Sequence, residues 1–296
     1  MRRSTPLLEM YRPSDHDIEL SEEEFRLLRD LIHERFGLFY DEGHRSSLRS
    51  RLEGRLASLG LMSFEDYYHY LRFGPQRTEE LQRMISHLTN NETYFYREAP
   101  QLQVFADPIL KSLKDRKART GDRTLRVLSA GCSTGEEVHT LAMIIHDSGQ
   151  FFWNWDVQIF GMDVDDAAVE KARRGLYFHN SFRSMSEALM DRHFVRQGTG
   201  AQVKEGIRRL TRLRQGNLLD PASFEGLAPL DAVFCRNVLI YFSDTSTLKA
   251  VRLFHDALAP GGYLFLGHAE SLSRITDLFT PIRFQGAIAY QKADAA

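Results

Sequence analysis

The chain has 296 residues, a formal net charge of -2, 43% hydrophobic and 26% charged residues, the profile of a globular protein with room for one large or two moderate domains. That charge argues against a dedicated nucleic-acid binder, and no apolar run approaches the ~18 residues that span a bilayer. The two cysteines, Cys132 and Cys235, give neither a disulfide framework nor a zinc spacing, so no metal site and a reduced, cytoplasmic compartment are expected.

Residues 1–15, "MRRSTPLLEMYRPSD", make a poor signal peptide and read as a flexible N-terminus. Residues 16–88 read as an all-α domain. Ser21 followed by Glu24 is a capping-box pattern. Phe25, Leu28, Leu31, Ile32 and Phe36 then recur at helical spacing up to Gly37. A second helix carries the stripe Leu48, Leu52, Leu56, Leu59 and stops at Gly60. A third starts at Ser63 and stops at Gly74, and "RTEELQRMISHLT" supplies a fourth. Residues 89–122 read as a linker, with a helix broken near Pro108 and an exposed loop over "KDRKARTGD". Residues 123–296 alternate strand and helix, which predicts a doubly wound parallel sheet closed by an antiparallel edge hairpin. Residues 175–216 break that alternation and read as a small inserted β subdomain.

Five stretches carry chemistry. In "LSAGCSTGEE" a strand runs into a glycine-rich turn and a helix, so Gly131 and Gly135 allow close backbone approach. The spacing is not GxGxxG. Glu136 and Glu137 at the helix start disfavour a pyrophosphate and suit a cationic or neutral ligand, or simply stabilise the first turn. In "GMDVDD", Asp163 follows a strand, where an acid takes the two ribose hydroxyls of an adenosine or caps the next helix. "FCRNVLIYF" places Arg236 and Asn237 in an apolar run at a strand end, and "RQGNLLD" puts Asn217 after another short strand. "LTNNETYFYRE" combines a polar turn, three aromatics and Arg97 between the two zones. An adenosine crevice without pyrophosphate recognition points to S-adenosylmethionine.

From about residue 16 to about residue 292 the chain resembles the CheR family of chemotaxis-receptor glutamate O-methyltransferases. "TNNETYFYRE", "SAGCSTGEE" and "FCRNVLIYF", in that order, carry the resemblance. It implies a Rossmann-like methyltransferase domain with a small β insert behind an all-α domain. It implies S-adenosyl-L-methionine as cofactor and S-adenosyl-L-homocysteine as product. Asn91, Thr93 and Arg97 would lie at the cofactor, Arg97 on its carboxylate. Glu137, or Glu136, would stand near the amino-acid or sulfonium end and Asp163 at the ribose. Asn217, Leu218, Arg236 and Asn237 would line the adenine and reaction side, with Arg236 and Tyr241 positioning the acceptor carboxylate. Phe95 and Tyr96 would pack the domain junction. Val138 and His139 stand where the family usually has Pro-Tyr.

The implied partners are cytoplasmic domains of chemoreceptors. Arg45, Arg49, Arg51 and Arg55 on the second helix form either a docking strip or a solvated face over a core helix. Gly198, Gly200 and Gly206 resemble the loop with which some relatives bind a receptor C-terminal pentapeptide by strand addition. A monomer is expected. The rival readings are a methyltransferase acting on a small molecule and a non-catalytic S-adenosylmethionine sensor.

Overall fold

The computed structural model describes residues 18–151 and 153–294, so the expected lead-in at 1–15 lies outside the described residues. The helical domain consists of α1 (Glu22–Phe36), α2 (Arg45–Leu59), α3 (Phe64–Phe73) and α4 (Arg77–Leu88). The starts of α1 and α3 have the physical cause the sequence predicts, a serine cap at Ser21 and at Ser63. The Ser21 hydroxyl accepts from the Glu24 amide at 3.2 Å while Glu24 accepts from the Ser21 amide at 2.9 Å, which closes the capping box. Gly37 ends α1 at φ 76, and a Cβ there would lie 2.7 Å from Leu219 in the other domain, so only glycine fits. Phe25, Leu28, Ile32, Leu48, Leu52, Leu56, Phe64 and Tyr67 are fully buried together.

The linker is more ordered than expected. α5 (Ala99–Val104) runs through a widened turn at Phe105–Ile109 into α6 (Leu110–Thr120), the break falling beside Pro108 where Asp107 leaves helical geometry. The expected loop over 114–122 is thus a correction: α6 continues to Thr120 and Gly121 caps it. The lysine that made the stretch look solvated is buried, because Lys117 pairs with Asp122 at 2.7 Å and Asp231 at 3.0 Å.

The second domain runs β1 (Thr124–Ala130), α7 (Glu136–Asp147), β2 (Asp156–Asp163), α8 (Asp166–Arg174), β3 (Leu176–Tyr177), α9 (Glu187–His193), β4 (Phe194–Gln197), β5 (Gly200–Val203), α10 (Glu205–Arg208), β6 (Thr211–Gln215), β7 (Leu230–Cys235), α11 (Asp244–Ala257), β8 (Leu258–Leu266), β9 (Thr280–Phe284) and β10 (Ala287–Gln291). The main sheet has the order β6-β2-β1-β7-β8-β10-β9. Its first five strands are parallel, and β10 and β9 close it antiparallel. One apolar cluster covers each face. A separate sheet, β3-β5-β4, forms the insert. The expected insert, 175–216, therefore ends too late: β6 pairs in parallel with β2 and belongs to the main sheet. Gly206 lies in α10 and not in the β4–β5 turn that holds Gly198. No described helix is long and apolar enough to cross a membrane.

Candidate active site

Strand order reverses between β1 and β7, so the loops after them diverge and leave a crevice at the carboxyl ends of the strands. The helical domain roofs it. Leu38 bridges to Phe242, the Phe39 amide donates to the Tyr241 carbonyl at 2.8 Å, and Asn217 Nδ2 donates to the Arg35 carbonyl at 2.7 Å. The resulting cleft has a volume of about 280 Å³, the low end for a small-molecule site. All ten residues singled out from the sequence line it: Asn91, Thr93, Arg97, Glu137, Asp163, Asn217, Leu218, Arg236, Asn237 and Tyr241.

The floor is the turn after β1. Gly131 takes φ 78, and a Cβ there would meet Val238 at 2.5 Å, so the glycine-rich turn and the loop after β7 touch through the absence of a side chain. Ser133 donates its amide to Asp163 Oδ2 at 2.7 Å and its hydroxyl to Asn91 Oδ1 at 2.8 Å. Asn91 Nδ2 in turn donates to Asp165 Oδ2 at 2.9 Å. The polar turn of the linker thereby ties the ends of β1 and β2 together.

Asp163 is 7% exposed, and burial pushes its carboxyl up to about 6. Asp165 caps α8, donating its own amide to Asp163 Oδ1 at 2.9 Å and accepting from the Ala167 amide. Capping thus falls to Asp165, and Asp163, its oxygens each retaining a second lone pair, faces the cleft.

The two adjacent glutamates part company. Glu136 turns to the insert, accepting from Ser181 at 2.8 Å and Thr134 at 2.7 Å. Glu137 faces the cleft, accepting from Ser129 Oγ at 2.7 Å and from Arg236 Nε at 2.7 Å. Arg236 also donates Nη1 to the Arg97 carbonyl at 2.8 Å, and its side chain is 2% exposed. Arg236 thus holds Glu137 and the 92–97 segment while it lines the cleft. Arg97 itself donates to the Glu92 carbonyl at 3.1 Å and lies over the Tyr94 ring. Among the described residues no carboxylate stands within 4.0 Å of it. Tyr241 is 39% exposed at the mouth, its hydroxyl accepting from Asn90 Nδ2 at 3.2 Å.

Other residues singled out from the sequence have these settings. Phe95 and Tyr96 pack on the insert and not at the junction of the two domains. Phe95 is fully buried against Tyr177, Phe182 and Phe194 of the insert, and Tyr96 packs on the same cluster; the wall residue is Tyr94. Arg51 and Arg55 make specific contacts within the helical domain, and Arg51 also lines the cleft. Arg51 donates to the Leu88 carbonyl at 2.7 Å, and Arg55 grips buried Glu80 at 2.9 and 2.6 Å. His139 is a buried core residue, held down to about 4 by burial. Sequence reasoning missed Tyr94, Arg183 and Glu270, which hold the walls; Tyr94 lies within the 88–98 stretch, while Arg183 and Glu270 lie in no motif, though Glu270, like Asp163, is an acid near a strand end.

The cleft fits S-adenosylmethionine. Asp163 offers acceptors for a diol, Leu218 an apolar wall, Glu137 an acid and Arg97 a cation with no carboxylate partner. The buried Asn237 Oδ1 has no hydrogen-bond partner among the described residues, an acceptor open to a ligand donor.

Residues 91–288 match the family described as CheR methyltransferase, SAM binding domain, and residues 23–89 match CheR methyltransferase, all-alpha domain. The chain is 34% identical over 278 residues to chemotaxis protein methyltransferase 2 of Vibrio cholerae, covering 94% of this chain and 95% of that one. It is 37% identical over 285 residues to the chemotaxis protein methyltransferase of Escherichia coli, covering 93% of each. It is also 34% identical over 241 residues to the probable biofilm formation methyltransferase WspC of Pseudomonas aeruginosa, covering 81% of this chain and 55% of that protein.

Proposed function

The chain belongs to the CheR methyltransferase family, and on that premise we propose that it methylates glutamate side chains of chemoreceptor cytoplasmic domains, forming methyl esters. The observation that carries the reading is the convergence of residues from three family motifs on one cleft between the domains, open to solvent at Tyr241. When bound, S-adenosylmethionine supplies an electrophilic methyl group on a sulfonium and departs as S-adenosylhomocysteine. A glutamate acceptor is already ionised at neutral pH, so no general base is needed, and the chain's task is alignment and exclusion of water.

In this reading Asp163 accepts from the ribose hydroxyls and Arg97 holds the cofactor carboxylate. Glu137, fixed by Arg236 and Ser129, stands by the positive end. Leu218 and Asn217 bound the adenine. Asn91 and Thr93 shape the wall through the Ser133 contact and by direct lining. Asn237 and Tyr241 face the acceptor, and Arg236 is a positioning residue. The acceptor protein approaches past the exposed side chains Phe39, Ile240 and Tyr241. The protein acts as a cytoplasmic monomer. A receptor C-terminal peptide adds as a strand to the free edge of the insert, where among the described residues β4 has no outer neighbour.

Incubation with methyl-labelled S-adenosylmethionine and receptor-bearing membranes tests the reading. Alkali-labile label on the receptor is expected. Label on a free small molecule instead, or cofactor binding without any transfer, overturns it in favour of a small-molecule enzyme or a sensor.

A further inference from the structure

Glu270 belongs to none of the motifs above. It follows β8 in "GHAESL", and its carboxylate takes four backbone amides from two loops. Oε2 accepts from Gly267 at 2.6 Å and Asn237 at 2.9 Å, and Oε1 accepts from Val238 at 3.0 Å and Ile240 at 3.1 Å. Three of these donors lie in the loop after β7 that forms the acceptor wall of the cleft. That loop needs holding. Asn237 sits at φ 60, a left-handed conformation that asparagine tolerates at some cost, and Val238 rests on Gly131 of the glycine-rich turn. Room for the staple is also built in, since a Cβ at Gly267 would lie 2.8 Å from Glu270 Oε2.

We propose that Glu270 is a positioning residue of the transfer reaction, whose carboxylate sets where Asn237 and Tyr241 stand by gathering the amides of Asn237, Val238, Ile240 and Gly267. Four donors converging on one group require an acceptor on both sides. An ionised carboxylate provides it, whereas an amide turns one side into a donor facing donors. Bonds to the charged form are also the stronger ones. Because alignment carries this chemistry, a displacement of about 1 Å in the loop costs up to ~100-fold in rate. The role in transfer rests on the function proposed above; the control of the loop does not.

The experiment uses the full chain carrying Glu270→Gln. Amide hydrogen exchange is measured over 236–242, with titration of S-adenosylhomocysteine and receptor methylation alongside. The expected pattern is an at least ~10-fold loss of protection confined to 236–242 and the 267–270 turn, as an amide-for-carboxylate swap removes charge-assisted bonds. Turnover falls by roughly 10- to 100-fold while affinity for S-adenosylhomocysteine changes by less than about fivefold, the split a misaligned acceptor wall produces. Unchanged protection over 236–242, or an equal loss through β1 and β7, overturns the proposal. Should Glu270→Gln fail to fold, Glu270→Asp, which keeps the charge and shortens its reach by one methylene, gives a weaker version of the same local pattern; its absence counts equally against it. A wild type that neither binds S-adenosylhomocysteine nor labels receptor defeats the proposed function, and the exchange pattern still decides the role of Glu270 in the loop.

Discussion

Arg55 in the helical domain and Arg97 in the cleft are both arginines with a tyrosine nearby, and their surroundings are opposite. Arg55 meets Glu80 with two nitrogens, and Tyr67 donates to the same carboxylate at 2.8 Å. Burial pushes the Tyr67 phenol well up, as the Glu80 charge beside it also does. Every strong group there has its complement, so the cluster can only hold α2, α3 and α4 together. Arg97 has a carbonyl and a ring, and nearby Asn237 keeps a buried oxygen unpaired. A fold satisfies its buried polar groups. Groups left over in a cleft are where a ligand gains its binding energy.

The contrast predicts that the two arginines fail in different assays. Arg55→Ala leaves Glu80, 1% exposed, with only the looser contact to Arg83 at 3.9 Å, a loss of up to about 3 kcal/mol as the buried pair is broken. Chemical denaturation should report that loss, and S-adenosylhomocysteine affinity of the folded fraction should stay unchanged. Arg97→Ala should reverse the pattern. A charge-assisted contact is worth about 1.5–3 kcal/mol, so calorimetry should find affinity down by roughly 10- to 100-fold with the denaturation midpoint unmoved. A stability loss at Arg97 matching that at Arg55 removes the distinction.

Much of this was legible in the sequence because local rules decide it. The capping box at Ser21, the stops at Gly37 and Gly60 and the strand–helix alternation are short-range patterns. The ten cleft residues were legible because three motifs, with two further polar stretches, fall at strand ends and at the domain hand-over, which the sheet topology brings together. Long-range pairing was not. The sequence does not say that Arg55 meets a buried glutamate 25 residues away, that Arg236 is consumed by Glu137, or that Phe95 faces the insert. The charged stretch around Lys117 read as a loop because its partner Asp231 lies on another strand.

Asp163 sharpens the comparison through pH. Its carboxyl is pushed up to about 6 by burial, against an unfolded value near 3.8. A raised folded value means the folded protein holds the proton more tightly, so this residue's contribution to stability is present below about pH 4 and lost as pH rises through about 6. Cofactor binding runs the other way, since ribose hydroxyls donate to the ionised form. Affinity for S-adenosylhomocysteine should therefore weaken as pH falls below 6, by at most about tenfold per unit, or ~1.4 kcal/mol. Asp163→Asn should flatten that slope. A slope that survives the substitution assigns the titration to another group.

The smallest effect tests whether the insert belongs with the paired region or with the cleft. Arg183, just after the 3-10 turn at His179–Phe182, lies 3.8 Å over the Tyr94 ring and pairs with Glu92 at 3.0 Å. Tyr94 lines the cleft, and Arg97 flanks the same ring. The insert thus braces the wall that carries Arg97, although Arg183 and Glu92 are exposed and their ion pair is screened. Arg183→Gln should lower S-adenosylhomocysteine affinity by about two- to fivefold, the ~0.5–1 kcal/mol of an exposed cation–π contact, and leave stability unchanged. Paired with Arg97→Ala in a double-mutant cycle, the two losses should fall short of their sum, because both act on one ring. Additive losses would mean that the insert braces something other than the Arg97 wall.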